Sequence, residues 1–299
     1  MEVLISSGLI RGLGIGSTYA LLAVGFVIIY RATSVVNFAQ PALMILGAYF
    51  TSVFISTAGM PFVVAVVAAM LVMAVIGMAT ERVALRPMVG RPPFAAAMVT
   101  VGVFITLYVV AHRLIGSRVR AIRDPWGLEQ TDLLGVTVSQ IDLAKIVVSL
   151  AAIAVVGLFL ARSRLGLAMR ATSLDQEVAL AQGVNVGRMF GLAWAISAAL
   201  AALAGALIGT VAGGFEASLA LVALKALPVI IIGGLDSIKG AVIAGLFVGI
   251  AEALTRTYQP RYADWLGANF DVAVPYVIMI IVLMVRPYGL FGTREVERV

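Results

Sequence analysis

The hydrophobic positions of this chain run on for whole helix lengths instead of alternating with polar ones. Residues 32 to 80 contain no Asp, Glu, Lys, Arg or His. A span of the hydrocarbon core takes ~20 apolar residues, so this stretch holds two in succession. Similar runs recur at roughly 12–30, 36–57, 61–80, 92–112, 146–161, 189–213, 219–235, 240–256 and 272–285. They predict an all-α polytopic integral membrane protein with eight or nine membrane-embedded helices, some of them discontinuous. The run at 219–235 decides the count. Lys225, Pro228, Gly233 and Gly234 interrupt it, so it reads either as a short span or as a re-entrant or broken helix joined to 240–256.

Composition agrees with that picture. The chain is 62% hydrophobic and 12% charged, with mean hydropathy +1.08, whereas soluble domains sit near ~45–50% apolar and ~25% charged. In 299 residues, that many spans leave room only for short loops, so residues 1–299 read as a single membrane domain. There is no cysteine, hence no disulfide framework, and one histidine, which removes every multi-histidine metal motif. In such a chain the net charge of +6 points to span ends beside anionic lipid, not to nucleic acid. Glu2 and the lack of a basic stretch before the first apolar run predict that the first span is retained. Gly12, Gly14 and Gly16, and Gly205, Gly209, Gly213 and Gly214, fall inside predicted spans, where small residues let helix backbones approach.

Arginines set the orientation. The connection 81–91 carries Arg82, Arg86 and Arg91. The connection 162–188 carries Arg162, Arg164, Arg170 and Arg188, and the tail carries Arg286, Arg294 and Arg298. Nine spans put all three on one face, which is expected to be cytoplasmic, with the C-terminus inside and the N-terminus outside. The opposite loop, 113–142, holds Arg113, Arg118, Arg120 and Arg123 together with four acids, and acids count little in this rule.

Several chemistries are missing. No Walker A sequence occurs; GGLDSIKGA around Lys239 lacks a GK followed by Ser or Thr. There is no HExxH, and His112 sits beside Arg113 at a span end, the place of an interfacial histidine. Lys225 and Glu252 are the main ionisable residues inside spans, and Glu252 lies near a span end, within reach of the interface. Catalytic residues, cofactors and metal ligands are therefore not expected. The chain reads as a conduit whose energy source lies elsewhere.

The connection 162–188, RSRLGLAMRATSLDQEVALAQGVNVGR, is long, polar and basic. Residues 174–182 read as a short amphipathic helix with Leu174, Val178 and Ala181 on one side, stopped by Gly183 and Asn185. Such a helix either docks into a groove of a soluble partner or lies on lipid. NFAQP at 37–41 places Asn37, Gln40 and Pro41 at the start of a span. This suggests a discontinuous helix lining protein or a watery cavity, with Asn37 and Gln40 facing the pathway. The competing reading is a capped helix start with Asn37 at the interface.

Four segments carry a resemblance over nearly the whole chain. RAxxxDxxxAxxxGVN at 170–185 resembles the coupling loop of ABC importer permeases. GSTYALLAVGFVIIYRATSVVNFAQPALMILGAYF at 16–50, ERVALRPMVGRPPFAAAMVTVGVFITLYVVAHRLIG at 81–116 and IIGGLDSIKGAVIAG at 231–245 are similar, in order, to segments of the branched-chain amino acid permeases of the LivH type. The resemblance implies a permease subunit of an ABC importer in a bacterial or archaeal inner membrane. Its expected partners are a second homologous permease subunit, two ATP-binding subunits that hydrolyse ATP, an extracytoplasmic substrate-binding protein and membrane lipid. The small-molecule substrate would be a branched-chain amino acid, or else a small amide or urea. It also implies an ATPase-coupling segment with Arg170, Asp175, Glu177, Ala181, Gly183 and Asn185, and pathway candidates Asn37, Phe38, Gln40, Gly233 and Gly234. Two positions depart from the pattern, Pro41 and Asp236, where glycine is usual. Pro41 fixes φ and removes a donor, whereas Asp tolerates a left-handed backbone better than most residues. The alternative function is an ion-coupled secondary carrier or channel for a small solute, centred on Lys225 and Glu252.

The orientation is open to direct measurement. A cysteine placed at Ser173 in this cysteine-free chain should escape an impermeant thiol reagent applied to intact cells. Labelling there would reverse the sidedness.

Overall fold

The computed structural model describes residues 2–116, 119–133, 136–210, 214–267 and 269–293. Twelve α-helices succeed one another among them: α1 Glu2–Thr33, α2 Gln40–Ser56, α3 Phe62–Thr80, α4 Pro93–Ile115, α5 Gln140–Arg162, α6 Arg164–Leu174, α7 Gln176–Ala181, α8 Val186–Gly209, α9 Leu219–Leu224, α10 Ala226–Gly233, α11 Ile238–Tyr262 and α12 Val274–Val285. Among the described residues, each apolar run of the sequence falls largely on helix. Among the described residues, six helical stretches are long and apolar enough to cross a membrane, while Gln40–Ser56, Leu219–Gly233 and Phe270–Val285 are shorter. The run at 219–235 is broken at Lys225, between α9 and α10.

The chain is not wholly helical. β1 (Gln130–Leu133) and β2 (Val136–Ser139) form an antiparallel hairpin in register Gln130↔Ser139 to Leu133↔Val136. Thr131, Val136, Thr137 and Val138 are β-branched, and the loop between α4 and α5 is polar enough to pair outside hydrocarbon. Thr137 Oγ1 donates to Asp132 Oδ1 across the hairpin at 2.8 Å.

The helices divide into two compact units. The first comprises Met1–Val27, Trp126–Leu150 and Leu224–Val299; the second comprises Ile28–Pro125 and Ala151–Ala223. In the first unit, two pairs of glycines four residues apart face each other, Gly12 and Gly16 on α1 against Gly245 and Gly249 on α11. A Cβ at Gly16 would stand 2.7 Å from the Gly245 carbonyl oxygen, and one at Gly12 would stand 2.7 Å from Ile250 Cα. In the second unit, α3 packs on α8 so closely that a Cβ at Gly77 would lie 2.6 Å from both the Trp194 carbonyl and Ala198 Cβ. Lipid tails are as apolar as leucine, so close van der Waals packing is what holds such helices together. α8 is largely enclosed, while α3, α4 and α5 leave most of their surface outward.

This packing predicts a sharp contrast between two glycines. Gly16→Ala should lower membrane abundance and Tm, since overpacking costs about 1–3 kcal/mol. Gly102→Ala should leave both unchanged, because nothing lies within 4 Å of its Cβ position. Equal behaviour of the two variants would contradict the α1–α11 contact.

Candidate functional site

The first interruption lies between α1 and α2. Ser34 turns the chain with φ of 56°, and α2 begins at Gln40 with Pro41 in its first turn, where a missing N–H has no helical partner to lose. That position explains why proline is accommodated in place of glycine. Asn37 Oδ1 accepts from Ala39 N at 2.9 Å, and its Nδ2 donates to Gln40 Oε1 at 3.2 Å. Gln40 Nε2 donates to the Ser197 carbonyl at 3.3 Å, while Ser197 Oγ donates to Gln40 Oε1 at 2.9 Å. Thr100 Oγ1 accepts from Phe38 N at 3.0 Å and lies 3.2 Å from the Val36 carbonyl. Asn37 and Gln40 are completely buried and Phe38 is half-buried. The Asn37 and Gln40 side chains are enclosed by protein, and α2 is capped at Ala39 without a side-chain bond.

Gly233 and Gly234 sit elsewhere, at the turn between α10 and α11. A Cβ on Gly233 would lie 2.5 Å from the Gly240 carbonyl, and Gly234, with φ of 103°, abuts the backbone of Gly292. The tail after α12 folds over this turn. Leu290 N donates to the Ile232 carbonyl at 2.8 Å and Phe291 N to that of Gly233 at 3.1 Å. These bonds satisfy carbonyls left free at the end of α10. The left-handed residue of the turn is Gly234, so Asp236 is not there for its backbone tolerance. Its carboxylate accepts from Thr293 N at 3.3 Å and from the Thr293 hydroxyl, fastening the tail.

The break at Lys225 coincides with a buried ion pair. Lys225 Nζ lies 2.6 Å from Glu252 Oε1, and Tyr19 Oη donates to Glu252 Oε2 at 2.9 Å. Glu252 is 3% exposed and Lys225 8%. Glu252 therefore does not reach the interface; both its oxygens are engaged inside the protein. One turn along α11, Arg256 pairs with the buried Asp271 at 3.0 Å.

The expected coupling segment is two helices, not one. α6 ends at Leu174, and Asp175 then caps α7, its Oδ1 accepting from Glu177 N and Val178 N at 2.9 Å each. Gly183, with φ of 81°, closes α7. Gly183 N donates to Leu180 O and Val184 N to Ala179 O, the pairing of a Schellman stop. Asn185 Oδ1 then caps α8 by accepting from Arg188 N at 3.0 Å. Arg170 donates to the Leu160 carbonyl. Ala179, not Ala181, is the buried residue of α7, while Glu177 and Ala181 are exposed. Leu174, Val178 and Leu180 stand 88%, 56% and 58% exposed among the described residues.

Next to this segment is a group that the sequence reading passed over. Glu81 opens a π-helical turn, Glu81–Leu85, at the end of α3. The Arg86 guanidinium donates Nε to Oε1 at 3.2 Å and Nη2 to Oε2 at 2.9 Å of the Glu81 carboxylate. Nη2 also donates to the Gly187 carbonyl at 2.7 Å. The signal was present in the sequence: Glu81 is the first charge after the uncharged stretch, and Arg86 follows five residues on.

Six helices of spanning length among the described residues, with interruptions sealed by protein groups, are those of a multi-pass membrane protein. The chain belongs to the family described as branched-chain amino acid transport system, permease component, whose model matches residues 8–283. It is 30% identical to the high-affinity branched-chain amino acid transport system permease protein LivH of Escherichia coli, with 97% of this chain and 96% of that protein covered. It is 31% identical to BraD, the corresponding permease protein of Pseudomonas aeruginosa, with 97% of each covered. The probable LivH of Methanocaldococcus jannaschii is 27% identical, covering 91% of this chain and 88% of that protein. The solved structure of PsaBC from Streptococcus pneumoniae in complex with Fab matches with a TM-score of 0.50 at 15% identity, covering 95% of this chain and 92% of that one; at that identity the likeness concerns the fold alone.

The buried pair yields a prediction about stability. Glu252→Gln or Lys225→Met should each cost about 3–5 kcal/mol by leaving one charge unpaired, seen as lower membrane abundance and Tm. The double variant K225M/E252Q, which keeps an acceptor for Tyr19, should recover most of the loss. Single variants as stable as the parent would mean that the pair does not hold α10 to α11.

Proposed function

We propose that this chain is the membrane-spanning permease of an ABC importer that carries branched-chain amino acids, or related small amides or urea, across the inner membrane, driven by ATP hydrolysis in partner subunits. The observation that carries this reading is the segment Asp175–Asn185. It lies between α6 and α8, carries the capping residues Asp175 and Asn185 at its two ends, and leaves Val178 and Leu180 exposed, next to the exposed Leu174 that ends α6. Exposed apolar side chains on a short helix suit the groove of a soluble subunit. The full complex would contain a second homologous permease, two ATP-binding subunits and an extracytoplasmic substrate-binding protein. Nine membrane-embedded helices follow if Gln40–Ser56, Phe270–Val285 and the broken Leu219–Gly233 are added to the six long ones, and eight if Leu219–Gly233 is left out. Their arginines favour a cytoplasmic C-terminus.

For the pathway we retain Asn37, Phe38 and Gln40, because a helix interruption lined with amides is the usual setting of a transport site. Gly233 and Gly234, in the other compact unit, are retained as separate candidates. The alternative of an ion-coupled carrier is disfavoured by the pairing of Lys225 with Glu252. A carrier needs an ionisable group free to exchange its ion, and each of these is the other's counter-charge.

The test is made in membranes and with purified subunits. The isolated chain should hydrolyse no ATP, having no phosphate-cradling loop, and activity should appear on adding the ATP-binding subunits. Gly183→Val, which forces a β-branched residue to positive φ at a cost of roughly 1–2 kcal/mol or more, should insert normally. Uptake and ligand-stimulated hydrolysis should both fall. Asp175→Lys should do the same by removing the cap of α7. Normal uptake by both variants at normal abundance would make this segment a lipid-surface helix.

A further inference from the structure

We propose that Glu81 and Arg86 are positioning residues for coupling, the joint through which a movement of the 174–185 segment reaches the membrane helix α3. This rests on the assignment of that segment to an ATPase contact, but it concerns residues outside it.

Three features carry the inference. The first is connectivity. Arg86 holds the Glu81 carboxylate with two bonds and the Gly187 carbonyl with a third. Gly187 is the second residue of α8, two positions beyond Asn185, where the coupling segment ends. The guanidinium therefore ties the end of α3 to the first turn of the helix that the segment feeds. The second is fit. Gly187 and Gly191 lie four residues apart, on one face of α8. A Cβ at Gly187 would stand 3.2 Å from Arg86 Cζ, and one at Gly191 would stand 3.5 Å from Glu81 Oε2. The first turns of α8 are thus small where the ion pair seats. The third is the state of the pair. The Glu81 side chain is 1% exposed, whereas that of Arg86 is 38% exposed. One end is fixed in the protein and the other reaches its edge. Glu81 itself lines a cavity of about 320 Å³ together with Ser34, Arg91, Gln176 and Phe190 among others. Gln176 is the first residue of α7, so the 174–185 segment and the carboxylate of the pair border the same open volume.

The interface the joint would drive is rigid. Below it, α3 and α8 meet backbone to side chain at Gly77, Trp194 and Ala198, with no slack to absorb a displacement. The π-helical turn at Glu81–Leu85 widens the helix where Glu81 leaves it, a deformation common at functional positions. A lysine at position 86 could not reproduce this arrangement, since the planar fork supplies the parallel bonds and an ammonium is a point charge.

The experiment uses the whole complex of this chain with its ATP-binding subunits, partner permease and binding protein, reconstituted in vesicles. Uptake, basal hydrolysis and ligand-stimulated hydrolysis are measured for Arg86→Lys, Glu81→Gln and the apolar pair R86M/E81L. Expected is assembly and basal hydrolysis near the parental level, with uptake per ATP and the stimulated-to-basal ratio lowered on the order of tenfold, the scale of losing a charge-assisted bond. A fastener without a coupling role behaves differently, because an apolar pair of similar volume restores what single changes remove. Recovery of uptake in R86M/E81L would overturn the proposal, as would unchanged uptake per ATP in both single variants. Loss of assembly in every variant, the double one included, would assign the pair to folding and equally overturn it. If the parental chain itself failed to bind ATP-binding subunits, the permease reading would fall instead.

Discussion

Hydrocarbon offers no water to a backbone group that leaves its helix, and each such group left unpaired costs roughly 2–7 kcal/mol. The places where this chain interrupts its helices are governed by that constraint. Between α1 and α2 the groups freed around residues 36–39 find Thr100 and Asn37. At the end of α10 they find the amides of Leu290 and Phe291, delivered by the tail. At Lys225 the interruption carries a charge as well, and the charge is met by Glu252. None of the three breaks is a loose hinge. Each is a set arrangement in which backbone is exchanged for specified partners.

The same absence of water removes the hydrophobic drive that would otherwise bring helices together, and glycine supplies the remedy. The facing pairs Gly12, Gly16 and Gly245, Gly249 bring α1 and α11 to backbone contact, and Gly77 does so for α3 and α8. Contacts of this kind have little compliance, since close-packed interiors transmit strain. That property matters to a protein whose work is to move a solute in response to a change made elsewhere.

Charge is used sparingly and in pairs. Lys225 with Glu252, Arg256 with Asp271 and Arg86 with Glu81 each include a carboxylate buried to 3% exposure or less. A buried ion without a partner is strongly destabilising, which bears most on Lys225 with Glu252, where both side chains are enclosed. The distinction among the three lies in what they join. The first two lie within the same compact unit as α11, while Arg86 reaches the backbone carbonyl of Gly187 at the start of α8, in the other unit.

Much of this was legible in the chain itself. The length and purity of the apolar runs determine that the protein is helical and membrane-embedded, because no other backbone arrangement of such runs satisfies itself in lipid. The breaks at NFAQP, Lys225 and GGLDS, and the glycine stop at Gly183, were equally readable, since proline, glycine and charge act locally. What the sequence could not determine was who meets whom across distances of many residues. Ser197 completing the amide network of Gln40, Tyr19 and Lys225 converging on Glu252, Thr293 latching onto Asp236 and Gly187 accepting from Arg86 all join residues between 27 and 233 positions apart. The hairpin of β1 and β2 was also missed, its short alternation hidden between two strong helical signals. Periodicity reports which side of a helix is apolar; it carries no information on which polar group, on which other helix, will stand opposite. Tertiary packing alone made that choice, and it placed Glu252, near a span end in the sequence, as a buried partner of Lys225 and Tyr19.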